Sequence, residues 1–335
     1  MATIKDIADR LGIAVSTVSK GLNNASDISD ETRQMVLDTA IELGYTPKRK
    51  KTLINNTAER KVCVFIENMD YENRDAFGYD LIQGFRQSAS MRNWQTDIIP
   101  SNLNAQSTSQ YDKFLLTNRY CGAFLIGFSM HNDYSVQISK TRFPTVLFDN
   151  HIQSNPKAGY VGTDCYEGLK LAVTHLFELG HQKIAFLNGA KNSMVSYERT
   201  QAFEAVMKEL NLKIYPALFE YGYYVPDCAK YHVPKFIDNG ATAIICASDL
   251  IASGAISEVT KRGLRVPEDI SIIGFDDLPF CANLTPPLTT IRQDRQNLGR
   301  SAFTLLDCLI NHIPVSKFLL RPKLIIREST CRRQN

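Results

Sequence analysis

Thr3-Ile4-Lys5-Asp6-Ile7-Ala8-Asp9-Arg10-Leu11-Gly12, followed after a short turn by Val15-Ser16-Thr17-Val18-Ser19-Lys20-Gly21-Leu22, reads as two short helices joined by a tight turn. Ile4, Ile7, Ala8 and Leu11 recur at i, i+3, i+4 and i+7 and make one apolar face. Thr3, with Asp6 three residues on, has the form of a capping box. Gly12 stops the first helix. In the second, Val18 and Leu22 turn inward, leaving Ser16, Thr17, Ser19 and Lys20 on the outside. A third helix is predicted from Ser29, with Thr32, Val36, Ala40 and Leu43 on one face and Gly44 as its stop. This is a helix-turn-helix pattern. Short hydroxyls and a Lys are what a helix needs to reach base edges and phosphates in a major groove. Any small three-helix module shares such caps and faces, so periodicity alone leaves both readings open.

Beyond the helices comes Tyr45-Thr46-Pro47-Lys48-Arg49-Lys50-Lys51, then Thr52-Leu53-Ile54-Asn55-Asn56-Thr57. A run of charge is usually a solvated linker. Lying between a helix-turn-helix pattern and a larger domain, this one is expected to touch phosphates, Arg49 among its residues.

At this point the chain resembles the lactose-repressor (LacI/GalR) family of bacterial transcription regulators. The resemblance is carried by Thr3-Ile4-Lys5-Asp6-Ile7-Ala8, Val15-Ser16-Thr17-Val18-Ser19-Lys20-Gly21-Leu22-Asn23, Ser29-Asp30-Glu31-Thr32-Arg33 and Leu43-Gly44-Tyr45-Thr46-Pro47. It implies a recognition helix opening at Val15 and Ser16, Lys20 reading the major groove, and Asn23 and Thr32 on the DNA backbone. It also implies a hinge after Pro47 that folds on DNA and wedges an apolar side chain into the minor groove. Two departures stand out. Ala14 occupies the place of a usual Ser, removing an N-cap worth roughly 1 kcal/mol. Ile54 matches the usual intercalating Leu but follows Lys51-Thr52-Leu53, so the wedge is Ile54 or, in a shifted register, Leu53.

The whole chain has 335 residues, 44% hydrophobic and 22% charged, with a formal net charge of +3. That length suits two or three domains, and the composition is globular. The near-balanced charge excludes a mainly cationic nucleic-acid coat while allowing a basic patch. No apolar run reaches the roughly 18 residues of a membrane helix, and the N-terminus lacks a signal-like apolar core. A soluble cytoplasmic protein without membrane partners is expected. The eight cysteines are scattered, without C-x-x-C or neighbouring His at ligand spacing, so reduced buried thiols are expected and neither a metal nor any other cofactor.

From Val62 onward, apolar strand-like runs alternate with helical patterns, the signature of a parallel α/β architecture. Strands are predicted at 62–66, 96–99, 122–126, 145–148, 183–187, 243–247 and 270–275, with helices at 79–91, 166–179, 198–210 and 250–262. So many units exceed one doubly wound sheet, and two similar lobes are the natural division. The domains are therefore expected as 1–46 for the helix-turn-helix, 47–60 for a hinge linker and 61–335 for a two-lobed, Rossmann-like effector domain. Ligands bind such sheets at the carboxyl ends of their strands. There the sequence places Asp149, Asn150, Asp249 and Asp276, with Phe77 and Tyr79 before the first helix of this part, Tyr223 after the Phe219 region and Arg199 opening a helix. Carboxylates, Asn, Arg and aromatic faces suit a polyhydroxylated ring. The plain alternatives are helix caps for Asp249 and Asp276, and a pairing of Arg199 with Glu198 or Glu204.

The resemblance continues through Leu179-Gly180-His181-Gln182-Lys183-Ile184, Ser248-Asp249-Leu250-Ile251-Ala252-Ser253-Gly254, Val266-Pro267-Glu268-Asp269-Ile270 to Asp276, and Pro286-Pro287-Leu288-Thr289-Thr290-Ile291-Arg292-Gln293. It implies a periplasmic-binding-protein-like effector domain that dimerises. Arg199 and Asp276 would be its principal ligand pair, Asp249 and Phe77 their neighbours, and Asn150, Tyr223 and Gln293 further contacts. The end of the chain carries no heptad, so a homodimer on a palindromic operator is expected rather than a tetramer. The function this predicts is transcriptional repression gated by a small sugar, with no enzymatic activity: no G-x-S-x-G, P-loop or H-E-x-x-H is present. The alternatives are a purine-type corepressor, and a sugar sensor that does not act on DNA.

Overall fold

The computed structural model describes residues 2–45, 60–100, 110–128, 138–150, 152–153 and 155–333. Arg49, Leu53 and Ile54, expected at the DNA, lie outside the described residues, as does the expected linker up to residue 59. The chain divides into two compact units, 1–69 with 81–161 and 299–318, and 70–80 with 162–298 and 319–335.

The first unit opens with α1 (Ile4–Leu11), α2 (Val15–Leu22) and α3 (Asp30–Glu42). The capping box forms as expected: the Asp6 amide donates to Thr3 Oγ1 at 3.2 Å and the Thr3 amide to Asp6 Oδ2 at 2.7 Å. Gly12 ends α1 in the left-handed region, and Ser29 Oγ accepts the Thr32 amide at the start of α3. Ile7, Ala8, Val18, Val36, Leu37 and Ala40 fill the space between the helices. Gly21 lets α2 approach α3 closely, since a Cβ there would stand 3.0 Å from the Val36 side chain. Leu43, expected on the inner face, turns out to solvent. The chain leaves the helix there at Gly44, and Tyr45 becomes the buried residue instead.

The same unit holds the first sheet: β1 (Arg60–Ile66), β2 (Trp94–Pro100), β3 (Ala123–Ile126), β4 (Thr145–Phe148) and β5 (Ala158–Thr163). They lie in the order β2-β1-β3-β4-β5 with β11 (Lys317–Leu320) beyond β5. The ladder from β2 to β5 is parallel. Its helices include α4 (Phe77–Ser90) and α5 (Gln110–Thr117).

The second sheet repeats that order. It consists of β6 (Ile184–Asn188), β7 (Phe219–Tyr221), β8 (Ala243–Cys246), β9 (Ser271–Asp276) and β10 (Thr289–Arg292), arranged β7-β6-β8-β9-β10, with β12 (Lys323–Ile325) antiparallel on β10. Around it run α6 (Cys165–Glu178), α7 (Met194–Glu209), α8 (Ala229–Asp238) and α9 (Asp249–Lys261), while α10 (Arg295–Ile310) follows β10. Both sheets are doubly wound, with the strand order reversing beside the first strand of each, so the expected two-lobed architecture is present.

Each strand expected from the sequence is present to within a few residues. The expectations missed β5, whose Ala158-Gly159-Tyr160-Val161-Gly162 run is diluted by glycine, and the short β7, β10, β11 and β12. They also missed α5, α8 and α10. Phe77 and Tyr79 do not precede α4: Phe77 is its first residue. Arg199 does not open α7, which begins at Met194 and carries Arg199 in its second turn. All eight cysteines are free thiols, and five of them are buried. His181 is structural, its ring nitrogens meeting Thr242 Oγ1 at 3.0 Å and the Cys331 carbonyl at 3.1 Å.

Candidate DNA-binding and effector sites

On α2 the buried Val18 fixes which face looks outward. Val15, Ser16 and Lys20 are exposed on that face, with Thr17 and Ser19 half-buried beside them. Lys20 Nζ meets Asp27 Oδ2 at 2.5 Å, an ion pair open to solvent and hence weak, so phosphate or a base edge can displace it. Asn23 donates from Nδ2 to the Ser19 carbonyl at 2.7 Å and accepts from Arg119. The Thr32 hydroxyl is held 2.8 Å from Ser29 Oγ at the start of α3. Ala14 gives α2 no side-chain cap, so the first amides of the helix have no protein side chain to satisfy them.

The second unit gathers the expected pair at the carboxyl ends of its strands. Arg199, buried, donates Nη1 to the Ala247 carbonyl just past β8 at 2.5 Å, and its Cζ lies 3.9 Å from the centroid of the Phe275 ring. Asp276 ends β9 with φ at 121°, a conformation that favours glycine and that a packed surrounding must hold in place. That surrounding is visible. Gln293 Nε2 donates to Asp276 Oδ1 at 2.7 Å, Thr163 Oγ1 donates to Gln293 Oε1 at 2.5 Å, and Arg295 Nη1 donates to the Asp276 and Asp277 carbonyls at 3.3 and 3.2 Å. Arg295 also pairs with Asp80 at 2.9 Å, and its Cζ stands 5.9 Å from the Phe77 ring centroid.

Asp249 departs from the expectation of a ligand contact. It is fully buried, with Oδ2 accepting the Leu278 amide at 2.7 Å and Oδ1 the Thr290 hydroxyl at 2.5 Å. Both oxygens are used within the protein, bracing the loop that follows Asp276. Nor does it cap α9, a task done by Ser248. Burial pushes both the Asp249 and the Asp276 carboxyl above the usual range, with the charge of Asp277 adding to it at Asp249 and that of Asp249 at Asp276, and the Arg199 charge draws Asp276 part of the way back. Tyr223 stands 70% exposed, whereas the adjacent Tyr224 turns inward to place its hydroxyl 3.1 Å from Ser196 Oγ.

In the first unit, Asp149 and Asn150 follow β4, Asp149 in the left-handed region and Asn150 buried, with Nδ2 donating to the Phe128 carbonyl at 3.1 Å. Sequence reasoning missed Arg295, Thr163 and Phe275. Arg295 could have been found as the cation two residues past Gln293. Phe275 reads only as one more apolar residue of a strand. The arrangement offers fixed donors and acceptors over an aromatic floor, suited to a hydroxylated ligand. Among the described residues no group of three or more His, Cys, Asp or Glu could hold a metal ion. No helix among them is long and apolar enough to cross a membrane.

Residues 3–48 match the family described as bacterial regulatory proteins, lacI family, and residues 173–330 match the periplasmic binding protein-like domain. The chain is 30% identical over 340 residues to the HTH-type transcriptional repressor PurR of Haemophilus influenzae, covering 98% of each chain. It is 28% identical over 333 residues to the HTH-type transcriptional repressor CytR of Escherichia coli, covering 98% of this chain and 96% of that one. Among solved structures, the transcriptional regulator CelR–cellobiose complex aligns with a TM-score of 0.71 at 24% identity, over 98% of this chain and 100% of that chain. The lac repressor dimer bound to operator and an anti-inducer aligns with a TM-score of 0.69 at 24% identity, over 98% and 99%.

Proposed function

Because the chain belongs to the lacI family of bacterial regulatory proteins, we propose that it is a DNA-binding transcriptional repressor whose hold on a palindromic operator is set by a small sugar contacted by Arg199 and Asp276. The observation that carries this is the coexistence of two sites. One is a capped three-helix bundle showing Ser16 and Lys20 to solvent; the other is a strand-end cluster in which Arg199 and Asp276 are each held by neighbours that fix their orientation. The first is what a major groove requires and the second what a polyol requires.

The protein acts as a homodimer, two bundles meeting two half-sites, by analogy with the lac repressor dimer seen on its operator. It works in the cytoplasm, where DNA is, and as a regulator rather than an enzyme. An effector that binds one conformation better shifts the population toward it, and DNA affinity and effector affinity change by the same factor.

The test selects a palindromic operator from random duplexes with the full chain, then follows labelled operator by anisotropy while sugars and purines are added singly. Release by a sugar is the expected result. Tightening by a purine would make the protein a corepressor-dependent regulator, and failure to enrich any duplex would leave a sugar sensor that does not act on DNA.

A further inference from the structure

The carboxyl ends of the first sheet carry two acceptors that nothing among the described residues satisfies. Glu67, which follows β1 directly, has Oε2 buried without a hydrogen-bond partner, and Asn150, past the end of β4, has Oδ1 in the same condition while the residue is only 4% exposed. Buried polar atoms are nearly always paired, so each such atom calls for an explanation. Between β1 and β4 lies β3. It is followed by Gly127, with φ at 81° and so close to Glu67 that a Cβ would stand 1.8 Å from the Glu67 carbonyl oxygen. The middle of the three strand ends thus carries no side chain at Gly127, and the two acceptors stand on either side of it on strands about 10 Å apart at the usual strand spacing. The Asn150 amide reaches over that gap to the Phe128 carbonyl beyond β3. The junction of β1 and β3 is also where the strand order reverses, the position at which doubly wound sheets take their ligands.

We propose that Glu67 is a specificity-determining effector residue that, with Asn150, reads hydrogen-bond donors. A ligand bound at these ends of the first sheet presents hydroxyl or amino groups there and no phosphate or carboxylate. This rests on the effector-gated reading above and deepens it. No cation pairs with Glu67 among the described residues, and burial alone pushes its carboxyl upward. A ligand anion would therefore meet a carboxylate with no cation beside it among the described residues and one oxygen buried, whereas hydroxyls or an ammonium group supply the missing donor.

The test uses the full chain and its Glu67→Gln variant, with thermal shift read against glucose, glucosamine, cellobiose and glucose 6-phosphate, and operator affinity read in parallel. Among these probes, the wild type should be stabilised by neutral or amino compounds and not by the phosphate. Glu67→Gln should weaken that binding by about tenfold or more, the loss expected for one charged hydrogen bond, with operator affinity unchanged. A preference for glucosamine over glucose that disappears in the variant identifies an amino group as the donor, and equal loss for both identifies hydroxyls. Without any ligand, Glu67→Gln should raise the melting temperature, because it removes a partly buried charge that no cation among the described residues offsets. A lowered melting temperature, unaltered ligand binding in the variant or preferential binding of the phosphate each overturns the proposal. Operator release by a sugar in the wild type would still uphold the regulator reading in those cases. If no compound releases the operator, that reading fails independently, and the ligand-free melting temperature still decides the role of Glu67.

Discussion

Arg199 is held by Phe275: its guanidinium carbon lies 3.9 Å from the ring centroid while Nη1 donates to the Ala247 carbonyl. A helix residue is thereby fixed against the ends of two neighbouring strands. Phe275 precedes Asp276, so one strand end supplies both the platform for the cation and the carboxylate beside it.

Arg199→Ala should keep operator binding and lose its response to effector. The loss of a charged hydrogen-bonding partner weakens effector binding by about 2 to 3 kcal/mol, or some hundredfold. Anisotropy of labelled operator with and without effector checks this. A normal response in the variant would place the effector elsewhere.

The pH dependence of stability should carry the mark of Asp276. Burial and the neighbouring Asp249 raise its folded-state affinity for a proton above that of the unfolded chain. Stability from this group is then full below the ordinary Asp range near about 4 and is lost as the pH rises through the elevated folded value. His175 and His181 act in the opposite sense, because burial lowers their affinity for a proton and acid pH works against them. Asp276→Asn isolates the first effect. The difference in melting temperature between wild type and variant should change with pH in that direction, and a constant difference would refute it.

Gly127→Ala should destabilise the first unit by roughly 2 kcal/mol or more, since it combines a left-handed backbone with a Cβ driven against the Glu67 carbonyl. Urea unfolding should show a lower midpoint, and an unchanged midpoint would mean that the β1 and β3 ends can part without cost.

Ala14→Ser should supply the cap that α2 lacks and add about 1 kcal/mol to the stability of the bundle, while Thr3→Ala should remove a similar amount from α1 by breaking the capping box. Thermal melts of the two variants should move in opposite directions.

The bundle was almost fully legible in the sequence, because caps, stops and a 3.6-residue apolar period act within a few residues of each other: Thr3 with Asp6, Gly12, Ser29 and Gly44 mark boundaries that the structure reproduces. Asp276 was legible as a residue at a strand end, whereas its pairing with Arg199, which sits in the second turn of α7, was implied only by the family resemblance. What the sequence did not show involves residues distant in the chain. Asp249 looks like a ligand residue until the Leu278 amide and the Thr290 hydroxyl, 29 and 41 positions away, are seen to occupy its oxygens. Gln293 is placed by Thr163, 130 positions earlier. Glu67 reads as an ordinary acidic residue after a strand, and only a buried oxygen that nothing among the described residues pairs sets it apart. Local sequence thus determined the helices of the bundle and the seven longer or more apolar strands with their alternation, because backbone propensity and side-chain period are local quantities. Which polar groups are already satisfied, and so which remain for a ligand, was decided by the tertiary structure alone, because desolvation and hydrogen-bond partnership depend on residues that only folding brings together.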